Sequence, residues 1–106
     1  MLPTLDFNEY SDIYTLTLWR DGKEVIYNFN TFVFGTADTF PTIDVPDPKF
    51  TYYIWAKYDA NELMFWITKE ELNFIKSRKD EIREELANYR ESKRQIRAYI
   101  ANKPNH

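Results

Sequence analysis

The chain has 106 residues, 43% hydrophobic, 29% charged and 18% aromatic, with two glycines, no cysteine and a net charge of −3. That length supports one small core, and the composition is that of a folded chain. Disulfide scaffolds and thiolate chemistry are excluded, and no apolar run approaches the ~20 residues of a membrane-spanning helix.

Along the chain, the first ten residues, MLPTLDFNEY, carry acids where a signal peptide carries bases. The segment DIYTLTLWRDGKEVIYNFN follows and reads as a hairpin. Asp21-Gly22 supplies the two positive-φ residues of a type I′ turn, flanked by β-branched and aromatic residues. A two-residue loop fixes the register, so Arg20 faces Lys23, Leu18 faces Val25, Leu16 faces Tyr27 and Tyr14 faces Phe29.

TFVFG predicts a short third strand, and TADTFPTIDVPDP, with three prolines, predicts an extended loop over 36–48. Asp38, Asp44 and Asp47 are the carboxylates of that loop. Their spacing matches no calcium loop, and a solvated, turn-forming role is expected for them.

KFTYYIWAKYDANELMFWI predicts a second hairpin turning near Asp59-Ala60-Asn61. Alternation places Phe50, Tyr52, Ile54, Leu63, Phe65 and Ile67 on one face and Tyr53, Trp55, Met64 and Trp66 on the other. Both faces are apolar, unlike a sheet with one wet side.

ITKEEL is the strongest local signal. Thr68 and Glu71 have the spacing of a capping box, and Ile67 and Leu72 that of a hydrophobic staple. A helix is expected over 68–103, about 50 Å long at 1.5 Å per residue. Strands of five to eight residues span about 17–27 Å, so part of that helix overhangs the sheet.

The fold class expected is therefore α+β in a single domain. Two hairpins over about 12–67 build an antiparallel sheet of four or five strands, and one long helix with a heptad seam follows.

Charge is unevenly spread. Residues 1–67 hold ten acids and four bases, whereas 68–106 hold seven acids and ten bases. With Leu72 at heptad position a, the a and d positions are Leu72, Ile75, Lys79, Ile82, Leu86, Tyr89, Lys93, Ile96 and Ile100, apolar except for two lysines. Lys76, Arg83, Arg90 and Arg97 recur every seventh residue at e, beside the seam. Among i,i+4 pairs of charged residues, Lys76–Asp80 is opposite, while Lys79–Arg83, Asp80–Glu84, Glu81–Glu85, Arg90–Arg94 and Lys93–Arg97 are alike. Like pairs destabilise an isolated helix by about 0.2–0.5 kcal/mol each, so the basic row is expected to meet an acidic surface elsewhere.

No enzyme is expected. The one histidine, His106, is the last residue, and both glycines are isolated, which leaves no nucleophile–base pair, imidazole metal site or phosphate-cradling loop. No cofactor or metal is expected. The leading functional expectation is a self-associating protein-interaction or assembly module. Its contact residues would be Leu86, Ile96, Ile100, the basic row Lys76, Arg83, Arg90 and Arg97, and Tyr53, Trp55 and Trp66.

A nucleic-acid accessory protein is the first alternative. Aromatics such as Trp19 would serve as stacking platforms, a reading opposed by the acidic half that carries them. The second alternative is an acidic inhibitor occupying a nucleic-acid site on a partner. Small, cysteine-free and glycine-poor, the chain has the style of many phage and mobile-element proteins. A soluble, cytoplasmic location is expected, or the host cytoplasm for a viral protein.

Overall fold

The computed structural model describes residues 1–37 and 48–102, with helix side chains described as far as residue 99. Six strands precede one helix: β1 (Thr4–Asn8), β2 (Ile13–Arg20), β3 (Lys23–Phe29), β4 (Thr31–Thr36), β5 (Tyr52–Tyr58), β6 (Asn61–Ile67) and α1 (Lys69–Asn102). The α+β class stands, but the strands form two antiparallel three-stranded sheets, β1-β2-β3 and β4-β5-β6, instead of one sheet of four or five. Thr36 ends β4, and most of the expected 36–48 loop, with Asp38, Asp44 and Asp47, lies outside the described residues.

Two features produce the extra strand and the second sheet. β1 is only five residues long, and its apolar residues, Leu5 and Phe7, are too few to mark a period of two. β3 and β4 are separated by the single residue Asn30, where the chain turns from one sheet into the other. The Asn30 amide donates to the Lys57 carbonyl at 2.7 Å, which starts the pairing of the second sheet. Its side chain holds two turns: Nδ2 donates to the Asp12 carbonyl at 2.8 Å, and Oδ1 accepts from the Asp59 amide at 2.7 Å. Asp12 and Asp59 both adopt positive φ, 58° and 51°, so Asn30 secures two tight, left-handed positions at one end of the molecule.

The first hairpin has the register expected from its two-residue turn, with Arg20 opposite Lys23 and Tyr14 opposite Phe29. Asp21 and Gly22 both take positive φ, at 53° and 76°. In the second sheet Ile54 pairs with Phe65 and Tyr52 with Ile67, so the expected inner face forms around β5 and β6.

The two inner faces meet in an aromatic layer. Tyr27 of the first sheet stacks on Phe65 of the second at 3.9 Å, and Phe29 meets Phe32 edge-on at 5.0 Å. Such pairs contribute about 0.5–1.5 kcal/mol beyond their buried area. Leu5, Leu16, Leu18, Ile54 and Ile67 are fully buried around this layer, and Leu72, Ile75 and Ile82 of α1 complete the core.

The helix begins as its sequence dictates. The Thr68 amide donates to Glu71 Oε1 at 2.9 Å, and the Glu71 amide donates to Thr68 Oγ1 at 3.2 Å. Two amides that no helical carbonyl can satisfy are thereby paired. The staple residues Ile67 and Leu72 are both buried.

Further along, α1 reaches the edge strands of both sheets through consecutive cations. Arg78 Nε donates to the Leu5 carbonyl of β1 at 2.9 Å, and Lys79 Nζ donates to the Phe32 carbonyl of β4 at 3.4 Å. The molecule extends 70 Å along its long axis, because α1 continues past the strands.

Candidate functional site

The candidate site is the half of α1 that continues past the strands, together with the cations on one of its faces. Positions a and d change character along the helix. Ile75 is fully buried and Leu86 half-buried, and from Ala87 to Tyr99 every residue is exposed. Within this overhang Ile96 is 59% and Tyr99 68% exposed, and Tyr89 also faces solvent. The side chain of Ile100 lies outside the described residues. Exposure from Ala87 onward covers every face of the helix, because α1 has passed the strands that cover Ile75 and Ile82.

Seven of the nine described cations of α1, all but Lys69 and Arg78, fall on one face. At about 100° per residue, Lys76, Lys79, Arg83, Arg90, Lys93, Arg94 and Arg97 occupy a sector roughly 100° wide and about 32 Å long. Every α1 carboxylate, from Glu70 to Glu91, lies outside that sector. Lys76, Arg83, Arg90 and Arg97, the residues of the basic row, are exposed and form no ion pair with any described residue. Lys76 lies 5.8 Å from the Phe34 ring, and Lys93 lies 5.3 Å from that of Tyr89.

Lys79 is different, being half-buried with its ammonium 4.4 Å from the Phe32 ring. Burial lowers its pKa, the nearby Arg83 charge adds to the effect, and Asp80 opposes it. Arg83 also lies near Tyr14, whose hydroxyl is pushed up by burial, against Arg83 and with help from Asp12. This half of the basic row therefore borders the core, and the other half projects from it.

The opposite flank of α1 revises the account of like-charge pairs. Arg78 Nη1 contacts Glu81 at 3.2 Å and Glu85 at 3.1 Å, so the Glu81–Glu85 pair shares one guanidinium. The hydrogen bond to Glu85 is the main reason the Arg78 pKa is raised. From within the basic sector itself, Arg94 reaches Glu91 at 2.8 Å. Arginine, with its long side chain, bridges seven positions here, which a count restricted to i,i+4 misses.

The aromatic candidates sit on the outer face of the second sheet. There Val33, Trp55 and Met64 form one cross-strand row, with Trp55 39% exposed, and Gly35, Tyr53 and Trp66 form the next. Tyr53 is only 5% exposed and meets the half-buried Trp66 edge-on at 5.7 Å. Its ring lies across Gly35, where a Cβ would overlap it. Of the three, Trp55 is therefore the one most open to solvent.

Arg20, which the sequence offers only as a residue beside a turn, proves to be a junction. Its guanidinium binds Glu71 with both terminal nitrogens, donates to the Trp66 carbonyl at 3.1 Å and lies 4.8 Å from the Phe50 ring. The only available signal was a strong cap residue at Glu71 with a second carboxylate oxygen to satisfy.

A hollow of ≈ 600 Å³ on the outer face of the first sheet is lined by Asn8, Ser11, Ile13, Thr15, Asn28 and Tyr58. These are amides, hydroxyls and one apolar side chain, with no carboxylate, imidazole or amine among them. Among the described residues no three carboxylates or imidazoles converge, and no helix is long and apolar enough to cross a membrane. No family model, curated protein or solved structure matches this chain.

Proposed function

We propose that this protein is a non-enzymatic, self-associating protein-interaction module whose contact element is the overhanging half of α1. The observation that carries the reading is the exposed run from Ala87 to Tyr99, which displays Tyr89 and Ile96 at the end of a stripe otherwise used for packing, with Tyr99 exposed beside it. An isolated helix of this length is marginal in water unless its apolar face is covered. Contiguous apolar surface on a small protein marks a contact region.

Light scattering across a concentration series tests this. Species larger than a monomer are expected, and Leu86→Lys with Ile96→Lys should dissociate them while leaving the far-ultraviolet circular dichroism of the sheets intact. A second reading, binding of nucleic acid, is favoured by the unpaired row of Arg83, Arg90 and Arg97. A monomer that binds a single-stranded oligonucleotide at micromolar concentration near physiological salt would replace the first reading with the second.

A further inference from the structure

The molecule is electrically polar along its length. Residues 87–102, the overhang, hold four bases, Arg90, Lys93, Arg94 and Arg97, against the single acid Glu91, a net of +3. The described residues before it, 1–37 and 48–86, hold thirteen acids against nine bases, a net of −4. Pairing two overhangs antiparallel, with position e facing e, sets Arg90 and Arg97 of one copy among the same cations of the other. Like charges facing across a contact oppose it. Acidic surface is found instead on the other end of the same chain.

The outer face of the first sheet matches the overhang best. Asp6 and Glu24 project there and no cation does, while Glu9, Asp12 and Asp21 stand in the adjoining turns. Asp6 approaches Arg78 only to 3.8 Å and stays 78% exposed. Ile26 is 55% exposed on the same face, beside the ≈ 600 Å³ hollow floored by Ile13, Thr15 and Asn28. By contrast, the outer face of the second sheet carries Lys57 paired with Glu62 at 3.5 Å and is locally neutral. Strands of five to eight residues give the first sheet a length of about 17–27 Å, enough for the roughly 21 Å of helix between Leu86 and Ile100.

We propose that the protein associates head to tail, the basic overhang of one copy seating on the acidic outer face of the β1-β2-β3 sheet of the next. This proposal rests on the self-association reading and specifies its geometry. Such a contact joins two different surfaces, so it propagates into chains or closes into rings and does not stop at a two-fold dimer.

The test uses two full-length variants. Arg90→Glu with Arg97→Glu spoils the tail, and Ile26→Lys with Asn28→Lys spoils the face. Each pair alters exposed side chains, and circular dichroism with thermal unfolding checks that each folds. Sedimentation velocity of the wild-type chain at low salt should show species beyond a dimer that dissociate as salt is raised. Each variant alone should associate about tenfold more weakly or less. Mixed in equal amounts, the two should form a 1:1 dimer, because one supplies an intact tail and the other an intact face.

A mixture that stays monomeric overturns the proposal. So does a closed wild-type dimer that is indifferent to Ile26→Lys with Asn28→Lys but lost with Leu86→Lys and Ile96→Lys, an outcome that leaves the self-association reading standing. A wild-type chain that is monomeric at every concentration removes both.

Discussion

The Arg20 guanidinium holds the Glu71 carboxylate in a two-point grip, Nη1 to Oε2 at 2.7 Å and Nη2 to Oε1 at 3.0 Å. Glu71 Oε1 also receives the Thr68 amide, so one side chain both caps α1 and ties it to the end of β2. Burial alone would raise the Glu71 pKa. The hydrogen bonds from Arg20 and Thr68 outweigh it and hold the carboxyl below its ordinary value of 4.5.

That direction fixes a pH dependence. A carboxyl depressed on folding contributes stability that is complete above its unfolded value and lost as pH falls through its folded value. Glu71→Gln keeps a side chain able to cap but removes the charge gripped by Arg20. It should cost about 1–3 kcal/mol at pH 7, with the gap from wild type closing below about pH 4.5. Urea unfolding at a series of pH values measures it, and a gap that does not change with pH would contradict this account.

Thr68→Ala removes the hydroxyl that accepts from the Glu71 amide and should cost about 1 kcal/mol, measured by the same urea unfolding at pH 7. A loss indistinguishable from zero would leave Arg20 and Glu71 as the whole of the junction.

Asn30→Asp should destabilise the corner between the sheets by about 1–3 kcal/mol. The substitution removes the donor that satisfies the Asp12 carbonyl and sets a negative charge between the turns that contain Asp12 and Asp59. Chemical denaturation checks it. A variant as stable as wild type would mean that the backbone pairing of Asn30 with Lys57 makes the corner unaided.

Gly35→Ala tests the close approach of Tyr53. The added methyl displaces the ring and should cost about 1–3 kcal/mol, the usual range for overpacking. In a Tyr53→Ala background the same change should be almost free, so a double-mutant cycle reads their coupling directly. Additive losses would separate the two residues.

The halves of α1 should answer truncation differently. Ile75→Ala empties a fully buried position and should cost about 2–5 kcal/mol, whereas Ile96→Ala in the monomer should stay within about 0.5 kcal/mol of wild type. Amide exchange should divide the helix in the same place, with slow protons through Leu86 and fast ones beyond.

What could be read from the sequence was local. Thr68 and Glu71 are three residues apart, and Asp21-Gly22 sets the first hairpin by its own backbone preference, so both were legible from adjacent positions. The division into two sheets was not, because Asn30 is held by partners 18 and 29 residues away. β1 is tied down by Arg78, 73 residues further along. The basic row at Lys76, Arg83, Arg90 and Arg97 was visible as spacing. The engagement of Lys79 with Phe32 and the bridging of Glu81 and Glu85 by Arg78 depend on which face meets the sheets, which spacing alone does not specify.

The hold of Arg78 and Lys79 on β1 and β4 has a consequence for synthesis. Since α1 follows all six strands, a nascent chain completes both sheets with those strand edges still bare. At about 5–20 residues per second, some 1–4 s separate the emergence of Ile67 from that of Leu86. In that interval an unpaired edge is open to strand addition by a neighbouring chain. Docking of the helix ends the interval, so substitutions that slow its docking should show first as aggregates on the polysome and only later, if at all, as a lower melting temperature of the finished protein.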